Sequence, residues 1–161
     1  MEIIRGDIKY LEELNHLEHA CFSKNEFCPK EKLKKRLRSF PSHFYLIKEN
    51  NHIVAYLSGF CNDEERFSST HFLSTKIHSE KGKNFFLLSL CCLKSFRKRG
   101  YASLLLKTLR EDMKEKENIL LLCKEDRISF YERFGYQKDG FVLKNSEDWY
   151  EMRLNLKGER K

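Results

Sequence analysis

The chain has 161 residues, of which 40% are hydrophobic, and this is enough to build the core of one domain. No apolar run reaches the roughly 18 residues of a membrane-spanning helix, and residues 1–7 lack the basic-then-apolar order of a signal peptide, so we expect a cytoplasmic protein without a membrane anchor. The formal net charge of +7 suits a polyanionic partner, either a phosphate-rich cofactor or nucleic acid, but no zinc-finger or ribonucleoprotein motif favours nucleic acid.

The sequence gives no reason to divide the chain, because it has only two prolines, no internal repeat and no low-complexity linker. We therefore expect residues 1–161 to form a single domain. The six cysteines contain no CxxC pair, and several lie in apolar runs, where free cysteine behaves as a small hydrophobic residue. We expect reduced thiols and no metal site.

The first elements in chain order are a short strand and two helices. The strand ends near residues 3–4, and Asp7 suits the N-cap of a helix of about a dozen residues. The predicted inner face of this helix carries Leu11, Leu14, Leu17 and Ala20. Pro29 suits the first position of a second helix, in which Leu33 and Leu37 face inward and the lysines and arginines form a solvated face.

A β-hairpin and a long loop follow. Residues 44–47 and 53–57 are apolar runs on either side of Glu49-Asn50-Asn51, a pattern that predicts a hairpin. Residues 61–83 are polar and irregular, and we interpret most of them as a loop with room for a short helix.

The second half of the chain alternates strands and helices. In order, it predicts a strand over 85–93 buried on both faces, a helix after Gly100, a buried strand over 119–123, a short helix over 128–134 ended by Gly135, and an antiparallel pair over 136–143 and 150–156. The inner stripe of the helix after Gly100 is Leu104, Leu105, Leu109 and Met113. The fold class is therefore α/β, with a strand-helix-strand unit at its centre.

The segment from Leu90 to Ser103 carries the strongest chemical signal. A buried strand leads through the basic turn Arg97-Lys98-Arg99 into a helix N-terminus, where free N–H groups and the helix dipole favour anions. Gly100 allows close approach of the backbone to a phosphate, and Ala102 leaves room in the first turn. This pattern predicts a pyrophosphate site, although an ordinary helix start with solvated cations fits the same residues.

Two motifs resemble the GNAT acetyltransferase superfamily. Arg97-x-x-Gly100-x-Ala102 after an apolar strand resembles its acetyl-CoA motif, and residues 130–136 (Phe-Tyr-Glu-Arg-Phe-Gly-Tyr) resemble a later helix-loop segment. The chain is most similar to the arylalkylamine N-acetyltransferase branch, on the strength of Cys123 and Glu125 before that segment, and of Phe22 followed by Cys28-Pro29.

The resemblance implies a GNAT fold, with a mixed central sheet of about six or seven strands flanked by helices, and a monomer or homodimer. It implies acetyl-CoA as the acetyl donor, a small aralkyl- or alkylamine as the acceptor, and no metal. The backbone of Leu90, Cys91 and Cys92 would bind the pantetheine arm, and the pyrophosphate loop would comprise Arg97, Lys98, Arg99, Gly100, Tyr101, Ala102 and Ser103. Tyr131 would contact the cofactor and act as the general acid, and the amine pocket would draw on Phe22, Pro29, Leu90 and Leu122.

One departure from that branch concerns proton removal. The related enzymes have two histidines in the strand before the motif, where this chain has Phe86 and Leu88, and neither side chain moves a proton. A water relay is our expectation, with His71 or His78 as a less favoured base. Loop acids Glu64 and Glu65, and helical His16 and His19, are weaker candidates.

Other functions stay open. They are a protein or peptide N-acetyltransferase, a catalytically weakened acetyl-CoA-binding protein, and a basic nucleic-acid-binding module.

Overall fold

The computed structural model describes residues 1–24, 26–67, 75–144 and 147–157. Its seven strands form a mixed sheet in the order β1-β2-β3-β4-β5-β7-β6. The strands are β1 Glu2–Arg5, β2 Phe44–Glu49, β3 His52–Asn62, β4 Asn84–Cys92, β5 Asn118–Cys123, β6 Gln137–Lys144 and β7 Glu147–Asn155. The α-helices among the described residues are α1 Leu11–Cys21, α2 Lys30–Ser39, α3 Tyr101–Asp112 and α4 Ile128–Glu132. The chain divides into two compact units, the first of residues 1–59 and 89–109, the second of residues 60–88 and those from Arg110 onward.

In the first unit, β1 and β2 pair antiparallel, and β2 pairs antiparallel with β3. Asn50 and Asn51 connect β2 to β3 with positive φ angles of 51° and 70°, a backbone that asparagine tolerates in tight hairpin turns. The predicted hairpin is therefore confirmed. β3 continues past residue 57 to Asn62 because the buried apolar side chains continue, with Phe60 and Cys61 both inside.

Helix α1 begins later than predicted. Asp7 caps a 3-10 turn instead, its Oδ1 accepting the Lys9 N–H at 2.9 Å, and the α-helix starts at Leu11. Leu14 and Leu17 are buried as predicted, but Ala20 is exposed and Glu18 is buried in its place. The helical period explains this, because position 18 lies one turn after Leu14 on the same face.

Helix α2 differs from its prediction in the character of its basic face. Pro29 was predicted to be the first residue of the helix, but it is the N-cap, and the helix begins at Lys30. Leu33 and Leu37 are buried as expected. Arg36 is buried with them, so the cations of this helix are not all solvated. The 3-4 spacing from Leu33 places Arg36 on the inner face.

In the second unit, β4 and β5 run parallel and β7 pairs antiparallel with both β5 and β6. The rings of Phe60 and Phe67 pack on Phe86 with centroids 5.3 Å and 5.1 Å away. β4 is continuously buried only over its first four residues and then alternates, so the prediction of burial on both faces holds for half of the strand.

Helix α3 spans the end of the first unit and the start of the second. Leu105 and Leu109 are buried as predicted, Met113 is buried just after the helix, and Leu104 is half-buried. Within the described part of the chain, no helix combines the length and apolar character that crossing a membrane requires.

Candidate active site

The turn between β4 and α3 has a backbone suited to an anion. Lys98 and Gly100 have positive φ angles of 68° and 80°, and left-handed residues are a feature of anion-binding concavities. The first hydrogen bond of α3 joins Leu104 N to Gly100 O at 2.9 Å. No acceptor among the described residues lies against the N–H groups of residues 98–103, and the first turn carries no acidic residue. These N–H groups are therefore available to a negatively charged ligand.

Gly100 keeps the space in front of this turn open. A Cβ built on Gly100 would meet nothing within 4 Å, so the backbone is accessible from outside. Its φ of 80° also lies in the region that only glycine adopts without strain. The residues therefore fit a phosphate group, because a side chain at this position would occupy the space through which the phosphate approaches.

Arg97, Lys98 and Arg99 are all exposed beside the turn. Arg99 Nη1 lies 3.1 Å from Glu49 Oε1, and its guanidinium lies 4.7 Å from the centre of the Phe96 ring. Glu49 also accepts a hydrogen bond from the Tyr101 hydroxyl, and this bond raises the pKa of Tyr101. Glu49, at the end of β2, thus anchors the first turn of α3, on which Ala102 and Ser103 are half-buried.

The end of β4 presents a backbone carbonyl on the edge away from β3. Leu93 N donates to Val54 O of β3 at 2.9 Å, and the carbonyl of the same trans peptide, that of Cys92, points to the opposite edge. There it accepts hydrogen bonds from Arg97 Nε at 3.0 Å and from the Cys21 thiol at 3.4 Å. In the described residues, the ladder of β4 with β5 ends at Phe86, although β4 continues to Cys92. Residues 90–92, expected to contact pantetheine, thus lie beyond the part of the strand that pairs with β5.

Cys21 is an unusual thiol that the sequence did not reveal. A hydrogen bond from Cys91 lowers its pKa to about 7, with a further contribution from Arg97 and against the effect of burial. Cys91 itself is buried, and burial raises its pKa. Cys21 is therefore the more acidic thiol of this pair.

Tyr131 lies in α4, in the second unit, within an aromatic cluster. Its ring centre is 5.0 Å from that of Phe130 and 5.9 Å from that of Tyr136, both edge to face. Burial, with the nearby Cys123 as a smaller cause, raises the pKa of Tyr131 well above its usual range. The hydroxyl therefore carries its proton at neutral pH, and no described residue makes a hydrogen bond with it.

The residues predicted for the amine pocket are distributed over both units. Phe22 and Pro29 flank the loop between α1 and α2, where Phe22 is half-buried and Pro29 exposed. Leu90 is half-buried on β4 in the same unit. Leu122 is half-buried on β5 of the second unit, opposite Glu151 of β7.

Phe86 and Leu88, which occupy the positions of the two histidines of the related enzymes, pack against other residues of the protein. Phe86 is fully buried in the three-ring cluster with Phe60 and Phe67, and Leu88 is half-buried. His78 is held at both nitrogens, since Nδ1 accepts the Cys61 N–H at 3.1 Å and Nε2 lies 3.1 Å from Glu80 Oε1. Proton uptake at Nδ1 would break the first bond, which disfavours His78 as a base. His71 lies outside the described residues.

The weaker candidates for the general base either contact other side chains or are exposed to solvent. Glu65 forms an ion pair with Lys83, and Asn62 Nδ2 donates to Glu64 Oε2 at 3.5 Å. His16 and His19 are exposed on α1, and His19 Nδ1 lies 2.8 Å from Asn15 O.

Glu18 is the most deeply buried acid beside these elements, with 1% of its surface exposed. Its carboxylate accepts hydrogen bonds from Cys28 N at 2.6 Å, from Ser89 Oγ at 3.0 Å and from the Tyr56 hydroxyl. It thereby fixes the loop between α1 and α2 to β3 and β4. An acid in register with Leu14 was the signal in the sequence for this role.

Comparisons with known proteins identify the family and the fold. The model of the acetyltransferase (GNAT) family matches residues 11–136. A search of curated protein sequences finds no match. Among solved structures, the GphF GNAT-like decarboxylase in complex with isobutyryl-CoA is 15% identical with a TM-score of 0.85, covering 98% of this chain and 100% of that one.

Two further structures are similar. The loading GNATL domain of CurA from Lyngbya majuscula is 14% identical with a TM-score of 0.86, covering 98% of both chains. The ribosomal-protein-S18-alanine N-acetyltransferase from Escherichia coli is 12% identical with a TM-score of 0.71, covering 96% of this chain and 93% of that one. At these identities the likeness concerns the fold, and it confirms the predicted α/β architecture with a mixed sheet of seven strands.

Proposed function

The chain belongs to the acetyltransferase (GNAT) family, and from this premise we propose that it transfers the acetyl group of acetyl-CoA to a small primary amine. The observation that carries the proposal is the turn before α3, with its two left-handed residues, open N–H groups and three exposed cations. We further propose that residues 1–161 act as one domain in the cytoplasm, as a monomer or homodimer.

In this proposal the residues of the turn hold the donor. The N–H groups of residues 98–103 and the side chain of Arg97 bind the pyrophosphate, and the backbone of residues 90–92 binds the pantetheine arm. Acetyl-CoA supplies a thioester, an acyl group already activated for attack by an amine. A backbone N–H near Leu90 stabilises the negative charge that develops on the carbonyl oxygen.

Tyr131 is proposed as the proton donor to the departing sulfur. A tyrosine hydroxyl carries its proton throughout the neutral range, and the raised pKa of Tyr131 makes it a weaker acid, so in this proposal it donates because of its position beside the sulfur and not because of its acid strength. An alkylamine with a pKa of about 10.4 must lose a proton before it attacks, and water is the proposed carrier because Phe86 and Leu88 cannot transfer one. Phe22, Pro29, Leu90 and Leu122 are proposed to line the acceptor pocket, as the resemblance to the arylalkylamine branch implies.

The absence of a side-chain base at positions 86 and 88 also favours a second acceptor class. A peptide α-amino group has a pKa of about 7.7–8.0 and is substantially neutral at pH 7.5, so it needs less help in losing a proton than an alkylamine does. A peptide N-terminus is therefore the alternative acceptor.

Two measurements test the proposed function. Acetyl-CoA and free coenzyme A should both raise the thermal stability, because a ligand that binds only the folded state stabilises it by mass action. Release of free thiol from acetyl-CoA over a panel of amines and short peptides then identifies the acceptor. Absence of any stabilisation at millimolar coenzyme A would contradict the proposal.

Tyr131→Phe tests the proton donor. The ring still packs against Phe130 and Tyr136, so folding should be unchanged, whereas kcat should fall by about 100- to 10,000-fold with little change in the KM for acetyl-CoA. Tyr136→Phe is the matched control, because it removes a hydroxyl from the same cluster. Equal loss of kcat in both variants would assign the effect to packing.

A further inference from the structure

The last turn of helix α1 lies along the end of strand β4, within the first unit. Two hydrogen bonds fix this alignment. Ser89 Oγ of the strand donates to Glu18 Oε2 of the helix at 3.0 Å. Nearly one helical turn further on, the thiol of Cys21 donates to the backbone carbonyl of Cys92 at 3.4 Å. The helix and the strand therefore stay side by side as far as the last residue of α1.

This alignment brings two cysteine thiols together. Cys21 lies three residues after Glu18, on the same side of the helix. Cys91 lies two residues after Ser89, on the same face of the strand. The contact between the thiols thus follows the contact between the carboxylate and the hydroxyl, one step further along both elements. The hydrogen bond from Cys91 to the sulfur of Cys21 agrees with this register.

The two thiols differ in their access to solvent. Cys21 is half-buried, whereas Cys91 is only 7% exposed. The hydrogen bond from Cys91 lowers the pKa of Cys21 to about 7, against the effect of burial and with a contribution from Arg97. Arg97 is held at this place because its Nε donates to the carbonyl of Cys92 at 3.0 Å. A partly accessible, acidic thiol beside a protected one is the arrangement in which a peroxide oxidises the first thiol and the second then reacts with it.

Two other cysteines are near in sequence, and each differs from this pair in a way that a test can use. Cys92 follows Cys91, but successive side chains of a strand lie on opposite faces, and its thiol donates to the carbonyl of Leu93 at 3.5 Å. The thiol of Cys28 donates to the carbonyl of Pro29 at 3.6 Å. Burial raises the pKa of Cys28 to about 11, so this thiol keeps its proton at neutral pH.

We propose that Cys21 and Cys91 form a reversible disulfide when the protein meets hydrogen peroxide. In the first step the thiolate sulfur of Cys21 attacks one oxygen of the peroxide, the O–O bond breaks and hydroxide leaves. The sulfur is thereby oxidised to a sulfenic acid and the peroxide is reduced. In the second step the sulfur of Cys91 attacks the sulfur of Cys21. The S–S bond forms, the S–OH bond breaks, and the hydroxyl group leaves with the proton of Cys91 as water.

This disulfide would join the neighbours of two residues proposed for the acceptor pocket. Phe22 directly follows Cys21, and Leu90 directly precedes Cys91. Its formation needs neither acetyl-CoA nor an acceptor and is measured without them, so it does not depend on the proposed function. A dithiol such as dithiothreitol would restore both thiols by exchange.

The test treats the full chain at pH 7 with a small excess of hydrogen peroxide, alkylates the remaining thiols and digests the protein with trypsin without reduction. Mass spectrometry then identifies linked peptides. Trypsin releases Cys21 in one peptide and Cys91 together with Cys92 in another, because no lysine or arginine separates the last two. Variants therefore identify the partner. The proteins are the native chain, Cys21→Ser, Cys91→Ser and, as the matched control, Cys92→Ser.

In the native chain and in Cys92→Ser, the two peptides should be joined within one chain, and dithiothreitol should separate them. In Cys91→Ser the link should be lost, and Cys21 should accumulate as a sulfenic acid that dimedone traps. Cys21→Ser should leave Cys91 as a thiol. In the native chain Cys21 should be oxidised about 10- to 100-fold faster than Cys28, because its larger thiolate fraction outweighs the lower nucleophilicity of a more acidic thiol.

A link from Cys21 to Cys92 or Cys28, a link between two chains, oxidation of Cys21 without a link, or no reaction at Cys21 would each overturn the inference. If Cys91→Ser does not fold, Cys91→Ala decides by the same criterion, since alanine buries no hydroxyl. The failure of the proposed function looks different, because the native chain would then form the disulfide and yet not bind coenzyme A.

Discussion

Two arginines in the first unit each lie near a cysteine, with opposite outcomes for the thiol. Arg97 is exposed and contributes to the low pKa of Cys21, about 7, which a hydrogen bond from Cys91 mainly causes. Arg36 is buried, and the pKa of its neighbour Cys28 is raised to about 11 because burial outweighs the nearby positive charge. The same pairing of residue types thus accompanies a more acidic thiol at a half-buried position and a less acidic one at a buried position.

The difference also separates two basic segments that look alike in the sequence. Residues 30–38 and 97–99 are both rich in lysine and arginine. The second segment is exposed throughout and anchored by Glu49 through Arg99, whereas Arg36 of the first is buried beside Leu33 and Leu37. Burial, and not the density of charge in the sequence, therefore distinguishes the two segments.

The largest expected effect concerns the exposed segment. Gly100→Val should weaken coenzyme A binding by at least about 100-fold, because two hydrogen bonds from the turn, each worth about 1.5–3 kcal/mol to a charged group, would be lost. The stability should fall by about 1–3 kcal/mol, since valine is strained at a φ of 80°. Calorimetric titration with coenzyme A measures the first effect and urea unfolding the second.

Gly135→Val provides the matched control, because Gly135 also has a positive φ, of 94°. It should lose stability through the same strain and keep its affinity for coenzyme A. Normal binding by Gly100→Val would place the phosphates elsewhere.

Replacing either arginine should have a smaller effect, which concerns the stability of the protein. Arg36→Met keeps the volume of the stem and removes a buried charge, so the free energy of unfolding should rise by about 1 kcal/mol. Arg97→Met, at an exposed site, should change it by no more than about 0.5 kcal/mol. Urea unfolding of both variants at pH 7 measures the difference, and a marked loss of stability in Arg36→Met would mean that the guanidinium has a partner within the protein.

The smallest effect concerns the two thiols. The rate of Cys21 alkylation should rise through a midpoint at a pH of about 7, since the lowered pKa makes the thiolate abundant above it, while Cys28 should stay unreactive until far higher pH. Arg97→Ala should move the Cys21 midpoint upward, because it removes a charge that favours the thiolate. Mass spectrometry of alkylated peptides resolves the two sites. If the midpoint does not move in Arg97→Ala, the hydrogen bond from Cys91 alone lowers the pKa of Cys21.

Much of the fold was predictable, and the reason is hydrophobic periodicity. The hairpin, the strands over 84–92 and 118–123 and the helix after Gly100 all follow from apolar patterns that a helix or strand must bury. The turn before α3 was predictable from its glycine and cations, although the left-handed conformation of Lys98 was not, because lysine rarely adopts it.

The polar residues inside the molecule were harder to predict. Arg36 was assigned to the solvated face of its helix and Glu18 was not singled out, and only their register with Leu33 and Leu14 indicated that they are buried. Cys21 could not be recognised as acidic, because its pKa depends on Cys91 and Arg97, which are distant in the sequence.

The buried carboxylate of Glu18 has a consequence for how the first unit opens. Three segments donate hydrogen bonds to it, the loop at Cys28, β3 at Tyr56 and β4 at Ser89. Separating any one of them would leave a charged oxygen without its donors, so these segments are expected to open together. The amide of Cys28, although it belongs to a loop, should then exchange its hydrogen for deuterium as slowly as the strands around it, and the loop would behave as part of the same cooperative unit.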